Sequence, residues 1–163
     1  MNAETDHKDR AMVEAQMGRP LRARWSVAKR CHLDVPMVVE NHPVLEDGAP
    51  FPTRFWLTCP ILVKRASQLE AGGMLTRATS LLGGRSDVRE RLVGAMERYK
   101  EGRDRMARIE ESGAPPGGGP DKVKCLHAHT AHELAEPGNP VGALTLERTG
   151  WPDCRLPCVR VDQ

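Results

Sequence analysis

The chain has 163 residues, of which 39% are hydrophobic and 4% aromatic. This length suits one domain, with a core built mainly from Leu, Val, Met and Ala. The net charge of +2 is well below the strongly basic balance of a dedicated nucleic-acid-binding domain. No apolar run approaches the ~18 residues of a membrane span, and segment 1–10 has no apolar core of a secretory signal. We therefore expect a cytoplasmic protein.

The first part of the chain predicts a short helix followed by a small antiparallel sheet. Residues 3–17 have apolar positions at helical spacing. Apolar and polar residues alternate over 21–31, which predicts a half-buried strand with a basic outer face and an inward-pointing Cys31. Two further strands, separated by an Asp-Gly turn, are predicted at 36–41 and 51–58.

The rest of the chain predicts helices. Pro60 opens one that Gly72 and Gly73 end, residues 74–82 add a turn or two, and Ser86 caps the longest, about 87–111. A stretch rich in Gly and Pro, 112–120, is predicted to be a flexible loop. The last two predicted helices are one capped by Asp121, about 122–135, and a short one that starts after Asn139 and ends near Gly150.

These elements predict an α+β fold. We expect a small antiparallel sheet of two or three strands covered by about four to five helices. The whole chain, 1–163, is expected to form a single domain, with disordered ends at 1–10 and 155–163.

The densest chemical signal is Cys125-Leu126-His127-Ala128-His129-Thr130-Ala131-His132. On an ideal helix Cys125, His129 and His132 share one face, and His127 points roughly the opposite way. Thiolate and imidazole together suit zinc, with iron as a second choice. The sequence therefore predicts a metal site on this helix.

A fourth ligand must come from another segment. Cys59 is the first candidate, because the partial positive charge at the start of a helix favours a thiolate there. Cys31 is the second, since it leaves its strand on the inward side. Cys154 and Cys158, four residues apart, can close the site from the tail.

Three functional interpretations of this cluster, and one without a function, stay open. Four protein ligands would make a structural zinc site, whereas three ligands and a water would make a hydrolytic one, with Glu136 as the candidate base. Without a metal, Cys59 or Cys125 would be a reactive thiol of lowered pKa. Alternatively, the histidines are ordinary surface or hydrogen-bonded core residues.

The basic face of the first strand is a separate candidate site. Arg22, Arg24 and Arg30 lie close together in sequence, near Trp25. They allow a phosphate-containing ligand, although the near-neutral chain disfavours nucleic acid and favours a solvated strand face.

Several motifs resemble a bacterial family of uncharacterised proteins, the domain of unknown function 501. They are, in chain order, Arg30-Cys31, Pro50 to Thr53, Phe55 to Pro60, Val123 to His127 with His132, and Asn139 to Gly142. Together they span about residues 11 to 154. The resemblance implies that Cys59, Cys125, His127 and His132 belong to a family pattern, which weakens the geometric preference for His129 and leaves the choice between His127 and His129 open. It implies no activity.

Overall fold

The computed structural model describes residues 3–109 and 117–161. Those residues form six helices and two small antiparallel sheets, which confirms the predicted α+β class. The elements are α1 (Ala3–Met17), β1 (Trp25–Arg30), β2 (Pro36–Asn41), β3 (Phe55–Leu57), α2 (Pro60–Ala71), α3 (Met74–Gly84), α4 (Ser86–Met106), β4 (Gly118–Gly119), β5 (Lys122–Val123), α5 (Leu126–Ala135) and α6 (Pro140–Thr149).

The larger sheet has the order β1-β2-β3, with both pairs antiparallel. Its centre, β2, is the predicted strand 36–41, and its Val38 and Val39 are fully buried. The β1–β2 register shifts after Val27, so one face of β1 does not follow strict alternation. Both α1 and α5 pack against β2, which leaves neither face of that strand open to water.

The apolar interior is divided into two clusters. One joins the sheet to α2, α4 and α5 through residues such as Met37, Leu57 and Leu62. The other joins α2, α3, α4, α5 and α6 around Leu82 and Leu92. Helices α2 and α5 contribute to both clusters and pack on each other, so side chains on their facing surfaces are held at defined positions.

Two expectations at helix starts were wrong. Ser86 does not cap α4, since the N-cap position is Arg85 and no side chain bonds there. Asp121 does not begin a helix, because residues 118–123 form the β4–β5 hairpin and α5 starts only at Leu126. Asp121 instead forms an ion pair with Arg89 of α4.

The two strands of the hairpin approach each other closely at Gly118, which explains why glycine occupies this position. Gly118 has a φ of +93°, and a Cβ there would collide with the Lys122 carbonyl. The predicted flexible loop, 112–120, is thus a hairpin from residue 118 onward, and its residues 112–116 lie outside the described part of the chain.

The Asn139 cap of α6 is confirmed, because its Oδ1 accepts hydrogen bonds from Val141 N and Gly142 N, both at 3.1 Å. At the chain ends, residues 3–10 belong to α1 and residues 155–161 form neither helix nor strand. None of the helices described has the length and apolar character required to cross a membrane.

Candidate metal centre

Three potential metal ligands converge where the end of α2 meets the start of α5. Atoms of Glu70, Cys125 and His127 all lie within 4.8 Å of one another, and no other such group of three occurs in residues 3–109 and 117–161. The His127 Nδ1 atom lies 3.1 Å from Glu70 Oε1 and 3.7 Å from Cys125 Sγ. All three side chains are half-buried.

The start of α5 accounts for this convergence. Cys125 is the N-cap residue and is extended, with φ −153° and ψ 115°, so its thiol does not follow the helical face assumed from the sequence. Its side chain makes no cap hydrogen bond. The Leu126 N–H instead donates to Glu70 Oε1 at 2.6 Å, so a carboxylate from α2 caps α5 and lies beside Cys125 and His127.

The second ring nitrogen of His127 is also held. Its Nε2 lies 3.0 Å from the Val63 carbonyl oxygen and 3.1 Å from Ser67 Oγ, and the Ser67 hydroxyl donates to the same carbonyl. A proton on Nε2 satisfies Val63 and leaves the Nδ1 lone pair for a metal. This is the usual arrangement behind a metal-binding histidine.

The same surroundings raise the pKa of His127 to about 9. The hydrogen bond to Cys125 is the largest cause, burial opposes it, and the charge of Glu70 and the Val63 carbonyl add to the rise. The ring is therefore protonated at neutral pH unless a cation replaces the Nδ1 proton. A carboxylate oxygen and a sulfur beside one ring nitrogen are the kinds of donor that bind a divalent cation.

A cavity of about 420 Å³ adjoins the His127 ring. Trp56, Val63 and Lys64 are among its lining residues, so its wall combines apolar surface with the Lys64 ammonium group. The cavity gives a small molecule access to the ring from the side of α2.

His129 and His132, which were expected to share a face with Cys125, lie elsewhere. Both are buried, and their Nδ1 atoms lie 3.0 and 3.1 Å from the Asn139 amide nitrogen. Because Asn139 Oδ1 already accepts two backbone N–H groups, its NH₂ must donate to both rings. The two histidines are thus neutral acceptors in a core network.

Burial keeps both rings uncharged. It lowers the pKa of His129, although the Gly117 carbonyl, 3.0 Å from Nε2, opposes the change. It also lowers the pKa of His132 to about 4, with smaller contributions from His129, Arg54 and Arg98. His132 packs against the rings of Phe55 and Tyr99.

Cys59 is buried in the sheet-side core and is not part of the three-ligand group. It is the N-cap residue of α2, as expected. Burial nevertheless raises the pKa of its thiol, and the N–H groups of Leu62 and Ile61 offset this only in part. The helix start therefore does not produce the lowered thiol pKa that the sequence suggested.

The remaining candidates are also placed away from the group. Cys31 follows β1 and packs against the same core as Cys59. The carboxylate of Glu136 lies at the far end of α5, 3.1 Å from Arg54 Nη1 and 3.8 Å from His132 Nε2. An ion pair with Arg54 leaves Glu136 poorly suited to accept a proton from substrate.

The arginines of the basic strand differ in their contacts. Arg30 bonds both carboxylate oxygens of Asp9, at 2.8 and 2.6 Å. Arg24 Nη2 lies 3.4 Å from His42 Nε2, whereas Arg22 is exposed. Since Arg30 is already paired, the face offers less free charge than the sequence suggested.

Glu70 is the site residue that sequence reasoning missed. It lies far from Cys125 along the chain, and only the packing of α2 on α5 brings the two together. The available signal was a carboxylate at the end of the predicted helix, two residues before Gly72. The predicted ligands were Cys and His, although zinc also accepts carboxylate oxygen.

Comparison with known proteins identifies a family. A family model described as a protein of unknown function (DUF501) matches residues 27–147. The matched segment contains all three residues of the group and ends before Cys154 and Cys158. No curated protein and no solved structure matches the chain.

Proposed function

Since the chain belongs to the DUF501 family, whose function is unknown, we propose a function from the site itself: the protein binds zinc through Glu70, Cys125 and His127. Three protein ligands leave one coordination position for water, so the proposed centre is hydrolytic rather than purely structural. Zinc in such a site lowers the pKa of its bound water to about 7 and so supplies a nucleophile at neutral pH.

One observation carries this proposal: sulfur, carboxylate oxygen and imidazole nitrogen from two packed helices meet within 4.8 Å. The Val63 carbonyl oxygen contacts His127 Nε2, which is the second contact expected of a metal-binding histidine. The adjoining cavity has room for a small substrate, and Lys64 in its wall favours an anionic one.

A second function has specific support. The Cys125 thiol lies 3.7 Å from His127 Nδ1, and a cationic imidazole beside a thiol is the basis of thiol nucleophiles. Glu70 weakens the support for this function, because its carboxylate approaches the same ring nitrogen as the thiol. The geometry therefore favours a shared cation over a cysteine–histidine pair.

The test is the zinc content of protein purified in zinc-containing buffer, measured by mass spectrometry of the metal. Cys125→Ser and His127→Gln should each lose one equivalent relative to the unsubstituted chain. Glu70→Gln keeps an oxygen for the Leu126 N–H and should retain the fold while binding zinc more weakly. His7→Gln, which changes an exposed histidine on α1, is the matched control and should lose none.

The same set of variants separates the two functions. Unchanged zinc content in Cys125→Ser and His127→Gln would rule out the metal proposal. If Cys125 then reacted with iodoacetamide faster than the other cysteines, and this preference disappeared in His127→Gln, the thiol function would replace it.

A further inference from the structure

The other four cysteines come together at one corner of the larger sheet. Cys31 follows β1 and Cys59 precedes α2. Their backbones flank the start of β2, since Cys31 N–H donates to Val35 O at 2.9 Å and Cys59 N–H to Met37 O at 3.4 Å. Two thiols that are distant in sequence are thus anchored to the same short segment.

The tail brings Cys154 to this corner. Its carbonyl oxygen lies 2.8 Å from His32 Nε2, next to Cys31. On its other side, Asp153 accepts a hydrogen bond from Arg65 of α2 at 2.8 Å. Trp151 packs against the core cluster that contains Cys59, which fixes the path of the tail just before Cys154.

Cys158 reaches the same place by a different contact. Gln16 Nε2 donates to Cys158 Sγ at 3.6 Å and to Pro36 O at 2.8 Å, so the thiol lies beside the first residue of β2. The Thr58 hydroxyl, adjacent to Cys59, also donates to Pro36 O.

We propose that Cys31, Cys59, Cys154 and Cys158 bind a second zinc ion, and that this thiolate site fastens the C-terminal tail to the sheet. Four sulfur ligands suit tetrahedral zinc and identify a structural centre with no open position. It is separate from the Glu70–Cys125–His127 group and does not depend on it.

Zinc binding requires the sulfur atoms of Cys154 and Cys158 to move closer to those of Cys31 and Cys59. Sulfur atoms in a closed tetrahedral zinc site are about 3.8 Å apart, which follows from bonds of about 2.3 Å. No three of these four sulfurs lie within 4.8 Å of one another. Residues 151–161 form no helix or strand, so the side chains of Cys154 and Cys158 can approach Cys31 and Cys59 without disrupting regular structure.

The experiment compares zinc stoichiometry in two double variants. Cys154→Ser with Cys158→Ser changes only half-buried or exposed tail residues, so the fold should be retained, as far-UV circular dichroism will show. The unsubstituted chain should hold two equivalents of zinc, and this variant one. Cys125→Ser with His127→Gln should also hold one, by loss of the other ion. Leu156→Ser, in the same tail and 66% exposed, is the matched control and should hold two.

Cobalt substitution gives an independent readout of sulfur ligation. Four of the five thiolates in the two sites belong to the tail centre, so the tail double variant should lose about four fifths of the thiolate-to-cobalt charge-transfer absorbance. Unchanged zinc content in the tail variant would overturn the second site. So would an unchanged cobalt spectrum, or a disulfide between two of these cysteines in freshly purified protein.

Discussion

Asn139 connects three parts of the core through one side chain. Its oxygen caps α6, and its amide nitrogen lies 3.0 and 3.1 Å from the Nδ1 atoms of His129 and His132. Because the oxygen is committed to Val141 and Gly142, the amide cannot rotate to accept from the rings. This explains why two histidines that resemble metal ligands in sequence are structural in the fold.

Asn139→Asp tests this arrangement. The carboxylate keeps an oxygen for the cap but loses both donors, so at pH 8 we expect the free energy of unfolding to fall by about 2–4 kcal/mol. At pH 6 the loss should be smaller, because a protonated histidine can donate to the new carboxylate. Urea unfolding at both pH values measures the difference.

Asn139→Ser is the matched control, since it keeps a cap oxygen and removes the amide donors without adding charge. Its loss of stability should change little between pH 8 and pH 6. An Asp variant that lost the same free energy at both pH values would contradict the assignment of the amide as the donor.

At the scale of elements, α4 passes unusually close to Arg54. The Arg54 side chain bonds Glu40 at 2.6 Å and Glu136 at 3.1 Å, and it lies where a Cβ of Gly102 would be. This half-buried arginine lies between two carboxylates and ties β2 and the end of α5 to this helix. Glycine at position 102 thus leaves room for the paired guanidinium, although glycine weakens a helix.

We predict that alanine substitutions at two glycines of α4 change the free energy of unfolding in opposite directions. Gly102→Ala must displace the guanidinium and should lower the free energy of unfolding by about 2–4 kcal/mol. In Gly94→Ala the new Cβ would meet only Arg98 Nη1 at 3.6 Å, an ordinary contact, so this control should gain about 0.5–1 kcal/mol. Denaturant unfolding of both variants checks it, and stabilisation by Gly102→Ala would contradict the packing described here.

The sequence predicted those elements whose signals are local. Strand 36–41 follows from its run of Met and Val, and α2 follows from Pro60 and the two glycines after it. The β4–β5 hairpin was missed because two-residue strands of glycine carry no periodic pattern. The start of α5 was placed too early, since its cap is Glu70, a carboxylate from another helix.

The candidate site was also predicted only in part, because its local residues have a sequence signal and its distant residue does not. Cys125 and His127 are close in sequence and were both named, but the choice between His127 and His129 depended on where α5 begins. An extended Cys125 faces His127, whereas a helical one would face His129. Glu70 required the packing of α2 on α5, which no local pattern specifies.

At the scale of the whole molecule, the buried His132 makes the free energy of unfolding depend on pH. Its pKa is about 4 in the fold, below the ordinary 6.5, so the unfolded chain binds the proton more tightly. The stabilisation is complete above pH 6.5 and is lost as the pH falls toward 4. Between pH 7 and pH 5 this one ring should account for about 2 kcal/mol of lost stability.

His132→Asn isolates this contribution. Asn can still accept the Asn139 amide but does not titrate, so the variant should be less stable at pH 7 and lose about 2 kcal/mol less than the unsubstituted chain on going to pH 5. Urea unfolding at pH 7, 6 and 5 gives both slopes. Parallel slopes would show that His132 is not a buried neutral group.

The central claim is the ligand set at the junction of α2 and α5, and X-ray absorption at the zinc edge tests it most directly. The Cys154→Ser, Cys158→Ser protein leaves the Glu70–Cys125–His127 group intact and removes the tail thiols. We predict one zinc–sulfur distance of about 2.3 Å and three nitrogen or oxygen neighbours at about 2.0–2.2 Å. A zinc shell without sulfur, or with two or more sulfurs, would contradict the account.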